Sequence, residues 1–260
     1  MRRILSYVRR AVDDYGMIED GDRIVVGVSA GKDSLTLLAA LAALKRFYPK
    51  RFELVAITID MGFPNADFSA VESFCKEREV PYHVIPSEIY KIIFEVRKEK
   101  NPCSLCAKMR RGALHNAAKT LGCNKIALGH HFDDAVETFM LNLFHEGRIG
   151  CFSPVTYLSR ADLYMIRPMV YLPEKDIRYF SSHTALPVVK SSCPADGNTE
   201  REEMKRLLLD LDRKHKGLRY RIFGAMQRGE IDGFKPPTGR MRSIHDYDPD
   251  KEQAEKDEES

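Results

Sequence analysis

The chain has 260 residues, 43% of them hydrophobic and 30% charged, enough for one large domain with a proper core. No apolar run approaches the ~20 residues of a membrane span. The arginine-rich start Met1-Arg2-Arg3-Ile4 lacks the apolar centre of a secretory signal, so a cytoplasmic protein without membrane contact is expected. The net charge of +3 hides an asymmetry: residues 246–260 hold eight carboxylates against two lysines, and the remainder holds 39 basic and 30 acidic side chains. A basic body suits a polyanionic partner, nucleic acid foremost, and a mixed solvated surface accounts for the charge equally well.

In chain order, Met1 to about Tyr15 reads as a basic amphipathic helix with Ile4, Tyr7, Val8 and Val12 on one stripe. The β-branched run from Arg23 to Val28 is typical of a buried parallel strand. A tight loop over Ser29 to Lys32 leads to a helix from Asp33 to about Phe47, a strand from Phe52 to Asp60 and a helix around Asp67 to Arg78. A third strand is expected over Pro81 to Ile85, helices over roughly Glu88 to Lys98 and Cys103 to Leu121, and a fourth strand over Lys125 to Leu128. The loop Gly129-His130-His131 opens a helix from about Asp133 to His145. Leu163 to Ile166 reads as a fifth strand, followed by helices over Pro173 to Thr184, Thr199 to His215 and Leu218 to Gln227.

Strands alternating with helices imply an α/β fold, a doubly wound parallel sheet of five strands with a C-terminal helical extension. The expected division is an N-terminal helix over 1–20, the α/β domain over 21–190, a helical segment over 191–234 and a disordered acidic tail over 235–260, which lacks apolar periodicity.

Ser29-Ala30-Gly31-Lys32-Asp33-Ser34 lies between a buried strand and a helix N-terminus, where backbone N–H groups and the helix dipole bind phosphate. Gly31 permits a positive φ, Ser29 and Ser34 offer hydroxyls, and Lys32 offers compact charge. The spacing from Gly27 is one residue short of a Walker A loop, and Asp33 stands where that loop needs a hydroxyl. An aspartate beside a phosphate repels it unless a cation intervenes, so Asp33 is a candidate for Mg²⁺.

This motif resembles the PP-loop of the ATP pyrophosphatase superfamily, usually Ser-Gly-Gly-Lys-Asp-Ser, with Ala30 in place of the first glycine. The resemblance implies cleavage of ATP between its α- and β-phosphates and adenylation of a substrate oxygen. It also implies adenine contacts at Ile59 and Asp60, after the second strand, and a second signature at Gly129-His130-His131-Phe132-Asp133-Asp134 with Glu137. Asp133 and Asp134 bind Mg²⁺ or orient the attacked base on one reading. On the other they are the cap and first-turn acids that helices favour without chemistry.

Six cysteines, irregularly placed, do not make a disulfide framework. Cys75 and Cys123 sit in apolar patterns and are expected in the core. Cys103 and Cys106 stand one helical turn apart among Lys100, Lys108, Arg110 and Arg111, surroundings that favour thiolates. With Cys193 downstream, an iron–sulfur cluster, a structural zinc and a redox dithiol all remain open.

From Pro102 through Gly147 the chain closely resembles the bacterial tRNA 2-thiocytidine synthetases of the TtcA type. The likeness continues through Ile166-Arg167-Pro168-Met169, Glu174-Lys175-Asp176-Ile177 and the Cys193 region to Ala225-Met226. It implies a [4Fe–4S] cluster on Cys103, Cys106 and Cys193, with ATP and Mg²⁺ as further requirements. Lys32, Asp133, Asp134 and Cys193 become the catalytic candidates, and Ser29 to Ser34, Ile59, Asp60, Gly129 and His130 the nucleotide-binding ones. The substrate implied is an anticodon-loop cytidine of tRNA, with a sulfur donor such as a cysteine desulfurase. A homodimer is compatible with the family, but no stripe marks its interface.

One departure is Cys193-Pro194-Ala195-Asp196, where many relatives carry a second Cys-x-x-Cys. The cysteine-rich zinc modules of archaeal-type tRNA thiouridine enzymes are absent. Arg2, Arg3, Arg9, Arg10, Arg110, Arg111, Arg213, Lys214, Lys216, Arg219 and Arg221 are expected to contact RNA together, with Tyr220 stacking on loop bases. Two alternatives remain: a related enzyme acting on another tRNA base or a small molecule, and a zinc-stabilised adenine-nucleotide-binding protein.

Overall fold

The computed structural model describes residues 1–64, 66–97, 102–189 and 200–239. The six strands are β1 (Asp22–Gly27), β2 (Phe52–Asp60), β3 (Tyr82–Pro86), β4 (Lys125–Ala127), β5 (Val155–Leu158) and β6 (Leu163–Ile166). The eight α-helices are α1 (Arg2–Asp14), α2 (Lys32–Leu44), α3 (Ser69–Lys76), α4 (Pro102–Thr120), α5 (Phe132–His145), α6 (Glu174–His183), α7 (Glu200–Lys214) and α8 (Leu218–Arg228).

The strands form one sheet in the order β3-β2-β1-β4-β6-β5. β1 pairs in parallel with both β2 and β4, so the order reverses at the centre of the sheet. Open α/β sheets bind ligands outside the carboxyl ends of the strands at such a reversal.

β1 is central because its side chains bury on both faces. Ile24 and Val26 join the core that holds α1, α2 and α5, while Val25 packs with Leu114, Ala117 and Ala118 of α4 on the other side. All three β1 side chains are fully buried, and each contributes about 1.5–3 kcal/mol by leaving water. The cysteine-bearing helix therefore covers one face of the strand that ends in the phosphate loop. The helix opened by that loop covers the other. Cys75 and Cys123 are buried as expected.

The sheet has six strands and is mostly parallel, which corrects the expectation of five parallel ones. β5 returns antiparallel onto β6, from Val155 opposite Ile166 to Leu158 opposite Leu163. None of its residues is fully buried, so the alternation that reveals a half-buried strand is missing. The helix expected over Glu88 to Lys98 is a π-helix over Lys91–Val96.

The C-terminal helices share the main core through Met204, Leu208, Phe223 and Met226. Arg10 does not face an RNA. Its side chain is only 8% exposed, lies 3.6 Å from Asp14 and covers the Tyr171 ring at 4.9 Å.

Candidate active site

The phosphate loop continues β1 by one more rung, the Val28 N–H donating to the Ile57 carbonyl at 2.8 Å. The loop then closes on Ser34, whose hydroxyl donates to the Gly31 carbonyl at 3.0 Å and accepts the Ser29 N–H at 3.1 Å. Ser34 thus shapes the loop, and the Ser29 hydroxyl lies beside it at 3.2 Å. Gly31 is the N-cap of α2 and brings no side chain to its first-turn amides. Those N–H groups remain for an anion, which fits a bound phosphate.

The positive φ expected at Gly31 falls on Ala30 instead. Gly31 is extended at φ −84°, whereas Ala30 is left-handed at φ +58°. That conformation crowds an alanine Cβ by roughly 1–2 kcal/mol. Ala30→Gly is therefore expected to stabilise the chain by about 0.5–1 kcal/mol after the added flexibility of the unfolded glycine. A higher urea midpoint at unchanged slope supports this, and a lower one contradicts it.

Gly129 permits close approach rather than an unusual φ. A Cβ there would meet the Asp33 carbonyl carbon at 3.1 Å and the Ser34 nitrogen at 3.2 Å. The loop after β4 thereby lies directly on the first turn of α2.

Lys32 sits between two carboxylates, 3.0 Å from Asp33 and 3.2 Å from Glu174. Burial alone would lower its pKa, and the adjacent Asp33 and Glu174 outweigh burial and raise it. Glu174 is a hub whose Oε1 also meets Arg178 at 3.1 Å and whose Oε2 meets Lys205 at 2.8 Å. Burial pushes this carboxyl up, yet the bond from Lys205 and the charge of Lys32 hold it at about 2. Glu174 and Lys205 line a cavity of about 390 Å³ between α5, α6, α7 and α8.

His131 caps α5 through a reciprocal pair. Its N–H donates to Asp134 Oδ2 at 2.9 Å, and its Nδ1 accepts the Asp134 N–H at 3.4 Å. Asp133 is buried with both oxygens engaged, one accepting the Glu174 N–H at 2.6 Å and the other paired to Arg219. Arg219 also reaches Asp212 at 3.3 Å, and Tyr220 stacks on Phe132 with centroids 4.9 Å apart. These two residues, expected against RNA, serve the interior instead.

Asp134 keeps one oxygen toward Arg201 at 3.6 Å, and Glu137 lies 3.5 Å from the same guanidinium. Arg201 and Lys205 had no mark in the sequence, because α7 carries as many acidic as basic residues and their partners Glu137 and Glu174 lie on other helices.

Burial, then the charge of Asp134, push the Glu137 carboxyl from 4.5 up to about 7. The folded chain holds a proton there that the unfolded chain releases near 4.5. Stability is consequently lost as pH rises from about 4.5 through 7, by on the order of 3 kcal/mol. Glu137→Gln removes this loss, so the gap between parent and variant urea midpoints should widen from pH 5 to pH 8. A constant gap contradicts the assignment.

His130 packs on Phe152 at 5.0 Å, and its buried Nδ1 has no hydrogen-bond partner among the described residues. Burial, then the nearby Arg167, push it down to about 4, so it is neutral at physiological pH. Ile59 and Asp60, half-buried at the end of β2, pair with Ile85 and Pro86. Asp60 accepts the Gly62 N–H at 2.9 Å, and Gly62 has φ +81°, a turn that suits glycine. This turn presents Met61, whose Sδ lies 3.7 Å from Cys106 Sγ.

Cys106 is half-buried and Cys103 exposed, one turn apart at the start of α4. Cys193 lies outside the described residues, as does Asp196. Among the described residues, no three histidine, cysteine or acidic side chains group to hold a metal. Cys151 is poorly suited to metal chemistry: burial pushes its thiol up to about 12.

The family model for the PP-loop domain matches residues 4–211. The chain is 41% identical over 228 residues to the tRNA-cytidine(32) 2-sulfurtransferase of Geobacter sulfurreducens, an alignment covering 86% of this chain and 89% of that one. Its counterpart in Pseudomonas putida is 38% identical over 228 residues, covering 87% and 83%. This chain belongs to the tRNA-cytidine 2-sulfurtransferase family of PP-loop proteins. The fold is shared with the U34-tRNA thiolase NcsA from Methanococcus maripaludis, solved with its [4Fe-4S] cluster, at TM-score 0.71 and 24% identity over 85% of this chain and 76% of that one. Within this PP-loop family the left-handed loop residue is here an alanine, and the cavity behind Glu174 adjoins the PP-loop through Lys32.

Proposed function

We propose that the chain is an ATP-dependent tRNA sulfurtransferase that converts an anticodon-loop cytidine, the position 32 named in its relatives, to 2-thiocytidine. The observation that carries this reading is a tether on the PP-loop. The Val189 N–H donates to the Ala30 carbonyl at 3.1 Å, and Cys193 follows four residues later, within about 14 Å of extended chain. Cys106 lies against Met61 at the end of the neighbouring strand. Both facts support one shared cavity for thiols and nucleotide.

In this reading the PP-loop amides and Lys32 hold the triphosphate. Cytosine O2 attacks the α-phosphorus; a P–O bond forms there and the bond to pyrophosphate breaks. Lys32 stabilises the charge gathering on the departing phosphates. Asp33, part-exposed in the first turn of α2, would hold Mg²⁺, which commonly takes one or two carboxylates together with phosphate oxygens.

Sulfide-level sulfur (HS⁻), supplied as a co-substrate, then bonds to C2 as the C2–O bond breaks; its proton is released and AMP leaves with the oxygen, with no net redox change. Cys103, Cys106 and Cys193 would hold a [4Fe–4S] cluster, which when bound supplies a soft site for sulfur.

Asp134 and Glu137, which share the half-exposed Arg201, are assigned to substrate, since Asp133 is closed off by the Glu174 amide and Arg219. Exposed Arg2, Arg9, Arg110, Arg111, Lys214, Lys216 and Arg221 supply contacts for the RNA backbone. Mass spectrometry of tRNA nucleosides from cells lacking the gene is the test. Loss of 2-thiocytidine, restored by the gene, supports the reading. Its persistence alongside loss of a different thionucleoside would redirect it to another base.

A further inference from the structure

Glu174 and Lys205 form a charge pair beside the PP-loop that the reaction above leaves without a role. The Lys32 ammonium lies 3.2 Å from Glu174 Oε1 and 3.0 Å from Asp33. Glu174 cannot follow Lys32 toward a bound phosphate, because it is buried and its amide is fixed on Asp133 at 2.6 Å. A buried carboxylate stripped of its cation is costly, so Lys32 can leave only if another cation stays.

Arg178 approaches the same oxygen at 3.1 Å, but its side chain is 60% exposed and water screens it. Lys205 is only 21% exposed and reaches both oxygens, at 3.0 Å and 2.8 Å. Every ion pair of Lys205 among the described residues goes to Glu174.

We propose that Glu174 is a positioning residue that holds Lys32 ready beside the PP-loop, and that Lys205 is the exchange cation that frees Lys32 when a polyphosphate binds. This rests on the ATP-binding reading and adds a control of nucleotide entry from the C-terminal helix α7. Lys205→Met leaves Lys32 as the main partner of Glu174, so a phosphate must compete for it. Glu174→Gln abolishes the competition, and the two substitutions together should offset each other.

The test is ATP binding, with Mg²⁺, by titration calorimetry on the full chain, each variant first shown by circular dichroism to be folded. Lys205→Met should weaken ATP by about tenfold, Lys205→Arg should hold within about threefold of the parent, and Glu174→Gln/Lys205→Met should return to about threefold of it. A purely structural Lys205 predicts the opposite, a double variant at least as weak as Lys205→Met. Unchanged binding by Lys205→Met, or no recovery in the double variant, overturns this inference alone. A parent chain that binds no ATP overturns the functional reading and this inference with it.

Discussion

Alanine at Cys103, Cys106 or Cys193 is expected to abolish tRNA thiolation, each by more than about a hundredfold, while ATP still binds. The size follows from how thiolate ligands work: losing one of three leaves an inorganic centre under-held, and ligand effects of this kind are not graded. ATP binding should survive because the Ser34 closure of the PP-loop and the uncapped α2 amides involve none of the three cysteines. Cys103 is exposed and Cys106 half-buried, so truncation there leaves little or no core cavity. The measurement pairs 2-thiocytidine formation in purified tRNA with ATP affinity. A single alanine variant that thiolates like the parent removes that cysteine from the ligand set.

Lys32→Ala is expected to lower pyrophosphate release from ATP by about 10²–10³-fold, the usual cost of losing one preorganised stabiliser of transition-state charge. Lys32 is placed for that task by its position at the start of α2 and by the two carboxylates that keep it protonated. Lys32→Arg should not rescue it, because a planar guanidinium cannot replace a compact ammonium in a closed loop. Release within about tenfold of the parent would mean that the loop amides carry the phosphate charge without it.

The parts of this molecule legible in its sequence are those whose cause is local. The β-branched run of β1, the Ala/Leu-rich α2 and the order Ser29 to Ser34 each carry their own signal, and the family resemblance stood on such segments. The burial of Cys75 and Cys123 followed from apolar neighbours in the same way.

What escaped depends on partners far along the chain. Asp133 and Asp134 look equivalent in sequence, yet the Glu174 amide and Arg219 occupy Asp133, the latter from 86 residues away. Arg201 and Lys205 stand on a helix with as many acids as bases, and their use becomes visible only once the fold sets them against Glu137 of α5 and Glu174 of α6. Tyr220 and Arg10 carry the composition of an RNA surface but face Phe132 and Tyr171 inside the protein. The left-handed φ landed on Ala30, where residue preference argued for Gly31.

The central claim is that thiols distant in sequence meet on one iron–sulfur centre beside the PP-loop. Iron content and Mössbauer spectra of the anaerobically reconstituted chain, with and without Cys193→Ala, test it most directly. The account predicts about four irons per parent chain with a cubane spectrum, and loss of most of that iron in the variant. A colourless parent holding one zinc, or a variant that keeps its full iron, would contradict it.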